Sequence, residues 1–166
     1  MKIVLRLQKD DDFIEIERKG PLPVKDIADE YQKELPYTVL MARVNGKDEE
    51  LTYMLEEDCK VELLDMRTHS ANLAYQHSLS LIYLKAVMDV LGDLAVEIEN
   101  SLNNGLYTEI KTKGSITAEQ VRAIEKRMRE IVDEDLPIVR EVYSRQEAIE
   151  LWGKYNYPEK SRLLEK

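Results

Sequence analysis

The feature that most constrains this chain is residues 70 to 91, "SANLAYQHSLSLIYLKAVMDVL", a helical-length run that is apolar almost all round. Leu73, Leu79, Leu81, Ile82, Leu84, Val87, Met88, Val90 and Leu91 leave little polar face, and a helix of that kind is expected to be buried on two sides. It carries one histidine, His77, and the question it poses is whether "HSLSL" is a broken metal-binding pair or a helix with a histidine in it. Positions i and i+4 share a helical face, so a histidine at position 81 would have completed a pincer. The residue there is Leu81. His69 is no substitute, because eight residues of helix put it about 12 Å from His77 along the axis.

Around this helix the periodicity changes. Before it, Ile3, Leu5 and Leu7 alternate with polar residues, and Phe13, Ile14 and Ile16 follow the acidic "KDDD", which predicts a β-hairpin. Val24, Ile27, Ala28, Tyr31 and Leu35 then recur at helical spacing up to Pro36. A β-branched run with Asn45-Gly46 and a last strand at "KVELLDM" complete a β-grasp order. After the long helix, two strands flank Asn103-Asn104-Gly105, and Thr117 with Gln120 forms a capping box that opens a helix bearing Val121, Ile124, Met128 and Ile131. "LPIVREVYS" reads as a strand, and Ser144 with Glu147 opens another helix. "EKSRLLEK" reads as a strand just begun, an edge that invites association with a second copy.

The expected fold class is α+β: a ubiquitin-like β-grasp unit over residues 1–66, then an α+β unit with the long buried helix over 67–166. The second unit is expected to be truncated at its C-terminus. At 166 residues and 43% hydrophobic content the chain can build a core. A net charge of −9 disfavours non-specific nucleic-acid binding, and no apolar run is long enough for a membrane span. Arg122, Lys126 and Arg129 share a helical side but sit among Glu119, Glu125 and Glu130, which reads as a solvated, paired face. One cysteine, Cys59, excludes a disulfide framework and fits a cytoplasmic setting.

Two resemblances follow from these residues. "PLPVKDIADEYQKEL", "VLMARVNGKDEELTYML" and "CKVELLDM" resemble a TGS domain. "HSLSLIYLKAV", "NNGLY", "ITAEQVRAIEKRMREIVDEDLPI" and "SRQEAIELW" resemble the second N-terminal domain of threonyl-tRNA synthetases, their editing domain. "ENSLNNGLYTEI" and "MREIVDEDLPI" are similar to the same pair of modules at the N-terminus of bacterial uridine-kinase-like fusion proteins. No GxxxxGK[ST] motif is present, so the chain is expected to be an N-terminal fragment, with the kinase domain continuing in cis after Lys166, or a kinase-less relative.

The editing family carries HxxxH on its first long helix. Here His77 and Ser78 match its start and Leu81 breaks it, so no catalytic or metal-binding residue is expected, and no cofactor. The resemblance leaves His77 and Ser78, with Tyr107 and Glu109 on the strand after the hairpin, as candidate ligand-binding residues, because residues two apart share a sheet face. Asp65 with His69 is too generic for a triad, and Asp10, Asp11 and Asp12 read as a solvated turn. The leading expectation is a non-catalytic accessory or ligand-binding module of a uridine kinase-like protein. The alternatives are a freestanding or degenerate aminoacyl-tRNA editing deacylase and an RNA-binding TGS adaptor. The partners expected with these readings are the kinase domain in cis, a small molecule or tRNA, and a second copy of the chain.

Overall fold

The computed structural model describes residues 1–102, 105–154 and 158–165. The chain is α+β and divides into two compact units, Met1–Glu134 and Asp135–Lys166.

The first unit opens with β1 (Lys2–Arg6) and β2 (Ile14–Glu17), paired antiparallel as the alternation predicts. After the two-residue β3 (Leu22–Pro23), α1 (Val24–Tyr31) places Val24, Ile27 and Ala28 inward, and a 3-10 turn ends it. β4 (Val39–Val44) returns through Asn45 and Gly46 into β5 (Lys47–Glu49). Both turn residues have positive φ, 50° and 86°, the requirement of a tight hairpin turn and the reason that Asn-Gly sits there. β6 (Met54–Leu55) pairs with β3, and β7 (Cys59–Asp65) runs parallel to β1, giving the sheet order β2-β1-β7-β4-β5. Ile3, Leu5, Ala42, Val44, Val61 and Leu63 meet α1 in one buried cluster. The reverse face of the sheet is charged, with Arg6 paired to Glu62, Arg43 to Asp48 at 2.7 Å, and Phe13 under the Arg6 guanidinium and the Lys60 ammonium.

Helix α2 (His69–Leu91) follows β7 almost at once, with Ala71 fully buried near its start. Gly92, at φ 84°, stops the helix and donates its N–H to the Met88 carbonyl at 3.0 Å. β8 (Val96–Leu102) and β9 (Gly105–Ile110) form an antiparallel pair; Asn103 and Asn104 of the expected turn lie outside the described residues. α3 (Ala118–Asp133) starts from the predicted capping box: Gln120 N–H donates to Thr117 Oγ1 at 3.2 Å, and Thr117 N–H to Gln120 Oε1 at 2.9 Å. A second, smaller cluster joins Ala86, Val87, Ile124 and Ile131. Arg127 of α3 fastens the two helices by reaching Asp89 of α2 at 2.8 Å, and also pairs with Glu134 at the end of its own helix at 2.7 Å.

The expectation that α2 is buried on two sides is not met. It packs on α3 and the β8–β9 pair along one flank, and Leu73, Leu79, Leu81 and Met88 remain exposed. Apolarity all round states what a helix could bury; only available partners decide what it does bury.

In the second unit, residues 136 to 143 form no strand. Ile138, Val139, Val142 and Tyr143 are exposed, Val142 at 85%, and among the described residues no ladder includes them. β-propensity depends on a neighbouring strand, and none of the described residues supplies one. α4 (Arg145–Lys154) begins at the predicted Ser144–Glu147 box, with Ser144 N–H to Glu147 Oε2 at 2.8 Å. The terminal strand expected at "EKSRLLEK" is instead α5 (Pro158–Glu165). Proline suits the first position of a helix, and Glu, Lys, Arg and Leu are strong helix formers, so local preference overrides a weak alternation. α5 meets α4 through Ser161 Oγ to the Ile149 carbonyl at 3.3 Å and the Lys160 ammonium 4.3 Å from the Trp152 ring.

Candidate functional site

The long helix has two stripes of opposite character. Asn72, Tyr75, Gln76, Leu79, Ser80 and Tyr83 follow the three-and-four spacing of one face and line a cleft of about 640 Å³. The facing wall is the inner side of the β8–β9 pair, Ile98 with Leu106 and Thr108, and Met66 and Met128 close the ends. Tyr83 and Thr108 join helix to sheet, with their hydroxyl oxygens 2.9 Å apart. Ile98 pairs across from Thr108, so strand parity turns both toward the helix.

Among the described residues that line the cleft, none carries a charged or histidine side chain. Its polar groups are two carboxamides, two tyrosines, one serine and one threonine. Gln76 Nε2 donates to Asn72 Oδ1 at 2.5 Å, and Ser80 Oγ is committed to the Gln76 carbonyl at 2.9 Å.

The residues singled out from the sequence stand elsewhere. His77 is exposed on the other stripe, one turn from Leu81, itself 52% exposed, and neither lines the cleft. Ser78 is back-bonded to the Ala74 carbonyl at 3.0 Å, which leaves its hydroxyl little capacity for a nucleophile's role. Tyr107 and Glu109 share a face as expected, but it is the outer face, opposite Leu106 and Thr108. Parity along β9 was legible; which parity faces the helix was not. The stripe Asn72-Tyr75-Gln76-Leu79-Ser80-Tyr83 could have been found by asking which face of the helix collects amides and hydroxyls.

On the outer face, carboxylate oxygens of Glu97, Glu99 and Glu109 lie within 4.8 Å of one another. Lys111 already supplies a cation there, 3.0 Å from Glu97 and 2.8 Å from Glu109, and these two bonds raise the lysine's pKa above its ordinary value. The cluster is a salt-bridged ladder. Asp65 is likewise committed, held below the usual carboxylate range by its hydrogen bonds from Arg67, the closest at 2.6 Å. A second groove, about 460 Å³, gathers Arg6, Lys9, Arg43, Arg67 and His69. Three of these arginines are bound to Glu62, Asp48 and Asp65, so little free positive charge is left for a phosphate. On α3, Arg129 pairs with Glu125 at 2.7 Å and Lys126 with Glu130 at 3.6 Å, as a solvated face should.

No protein-family model matches the chain. Among curated proteins, the threonine–tRNA ligase of Acetivibrio thermocellus is 30% identical over 143 residues, 86% of this chain and 22% of the ligase. Those of Rhodospirillum rubrum and Clostridium kluyveri are each 32% identical, over 146 and 150 residues, covering 88% and 90% of this chain and 23% and 24% of the ligases. The chain is homologous to the N-terminal region of threonyl-tRNA synthetases. It spans less than a quarter of the length of these relatives. Against that background Leu81 stands where the editing-domain resemblance implies a second histidine, and the stripe that would have carried the pair is the one facing solvent. No helix among the described residues is long and apolar enough to cross a membrane.

Proposed function

We propose that this chain is a degenerate editing-type module of threonyl-tRNA synthetase lineage, which engages aminoacyl-tRNA without hydrolysing it. The observation that carries the reading is the breadth of the similarity, 84% to 90% of the chain in threonine–tRNA ligases from several bacteria. The loss of hydrolysis follows from chemistry. A catalytic zinc site takes about three protein ligands, and α2 has His77 with Leu81 one turn on. Hydrolysis without metal needs several groups held around one ester and one water. His77 stands exposed with no acid or second histidine on its stripe.

The division near residue 66, a TGS identity for the part before it, and a cytoplasmic setting belong to the same proposal. The accessory-module reading, in which the chain precedes a uridine-kinase-like domain, rests on the "ENSLNNGLYTEI" resemblance and has no support from these relatives.

Two assays on the purified chain test the proposal. A gel-shift titration with threonine tRNA is expected to give saturable, salt-sensitive binding, weakened by the chain's net charge of −9. Incubation with threonine tRNA carrying the wrong amino acid is expected to release amino acid no faster than the blank. Absence of tRNA binding at low salt would remove the reading. Deacylation that collapses in His77→Ala would convert it into an active deacylase.

A further inference from the structure

The chemistry of the α2 cleft identifies which part of an aminoacyl-tRNA it can hold. Among the described residues its walls offer no carboxylate to meet the ammonium of an amino acid and no cation to meet a carboxylate or phosphate. An ionic group placed there would gain no charged partner from the walls. The described lining therefore suits a neutral ligand.

Two features narrow it further. Tyr83 has its hydroxyl engaged by Thr108, whereas the Tyr75 ring stands open beside the cleft, 46% exposed, a platform on which a flat heterocycle can stack. The neighbouring Gln76 spends one amide N–H on Asn72, which orients its carboxamide and leaves a carbonyl acceptor and a second N–H on one plane. That pair matches the adjacent donor and acceptor on a nucleobase edge, the pairing by which glutamine reads a base. The volume, about 640 Å³, lies within the range of small-ligand pockets and admits a nucleoside.

We infer that the cleft takes one unpaired nucleobase, stacked on Tyr75 and held at its edge by Gln76, and does not sense the amino acid. The base chemistry stands on the cleft alone. That the base belongs to tRNA rests on the proposed function.

The experiment is an NMR titration of the 166-residue chain with adenosine and uridine, and separately with L-threonine and L-serine, on wild type, Tyr75→Ala, Gln76→Leu and Leu81→Ala. All three positions are exposed, so the variants retain the fold. At least one nucleoside is expected to saturate, with affinity falling roughly tenfold or more in Tyr75→Ala, the loss of one base–aromatic stack. Gln76→Leu is expected to weaken binding as well, and Leu81→Ala to leave it unchanged. Neither amino acid is expected to saturate. Failure of both nucleosides to saturate, or nucleoside affinity indifferent to Tyr75→Ala, would overturn the inference. So would threonine or serine binding that Tyr75→Ala abolishes. With tRNA, uncharged, seryl and threonyl forms should bind within about twofold, whereas a gap of about tenfold (roughly 1.4 kcal/mol) would mean that the amino acid is read. Nucleoside binding without tRNA binding would retain the base site and overturn the tRNA reading, so the two failures are distinguishable.

Discussion

The two hydrophobic clusters of the first unit differ in how far they close. In the β-grasp-ordered part, twelve buried residues lock a five-stranded sheet onto α1, and the reverse face is dressed with paired charges. The cluster that joins α2 to α3 has four buried residues among those described, although α2 is the more apolar element. The same driving force acts on both, but a sheet presents many parallel rows to one helix, whereas α2 offers apolar surface in every direction to a two-stranded sheet and one helix. The consequence is functional. The open cluster leaves an uncharged cleft beside an exposed helix face, whereas the grooves on the closed part are lined largely by charged residues such as Arg6, Arg43, Glu56 and Glu57.

That contrast can be broken by mutation. The largest effect is expected for Leu5→Ala, at a fully buried position under α1, which should cost about 2–5 kcal/mol in urea denaturation. Leu81→Ala, on the open helix face, should stay within roughly 0.5 kcal/mol. Equal losses at the two positions would mean that the open face is covered in solution.

A smaller effect separates packing from local order. Thr117→Ala removes the capping box of α3 and should cost about 1 kcal/mol. Hydrogen exchange should quicken in α3 and leave β1 and β7 untouched; acceleration in both would join the two clusters into one cooperative body.

Acid tests the ion pairs of both regions. Asp48 is depressed mainly by its hydrogen bond to Arg43, and Asp89 mainly by its bond to Arg127 and then Lys85. A carboxyl with a lowered folded pKa contributes stability above its unfolded value, near 4, and that contribution is lost as pH falls through the lower folded value. Stability should therefore be flat from pH 7 to about 5 and fall below about 4, more gently in Asp48→Asn. A variant with the wild-type acid slope would remove Asp48 from the account.

The smallest change concerns "HSLSL". Leu81→His places two imidazoles one turn apart on an exposed face and should let the chain be retained on immobilised nickel without a tag, with little change in stability. Wild type retained as strongly would show that a ligand other than position 81 completes the pair.

The sequence by itself determined the local structure: the β1–β2 hairpin, the Asn45-Gly46 turn, the extent of α2, and both capping boxes. These depend on backbone preference, residue spacing and hydrogen bonds within a few residues, all of which are written along the chain. It also carried the absence of a second histidine at position 81. Tertiary structure decided the rest. Ile138, Val139 and Val142 have the composition of a strand and, among the described residues, no partner to make them one. Which face of α2 meets the sheet, and which parity of β9 looks back at it, determined that Tyr75, Gln76 and Thr108 line the cleft while His77, Tyr107 and Glu109 do not. Burial and strand pairing are properties of partners remote in sequence, and a pattern with one period shows two equivalent faces until a partner covers one.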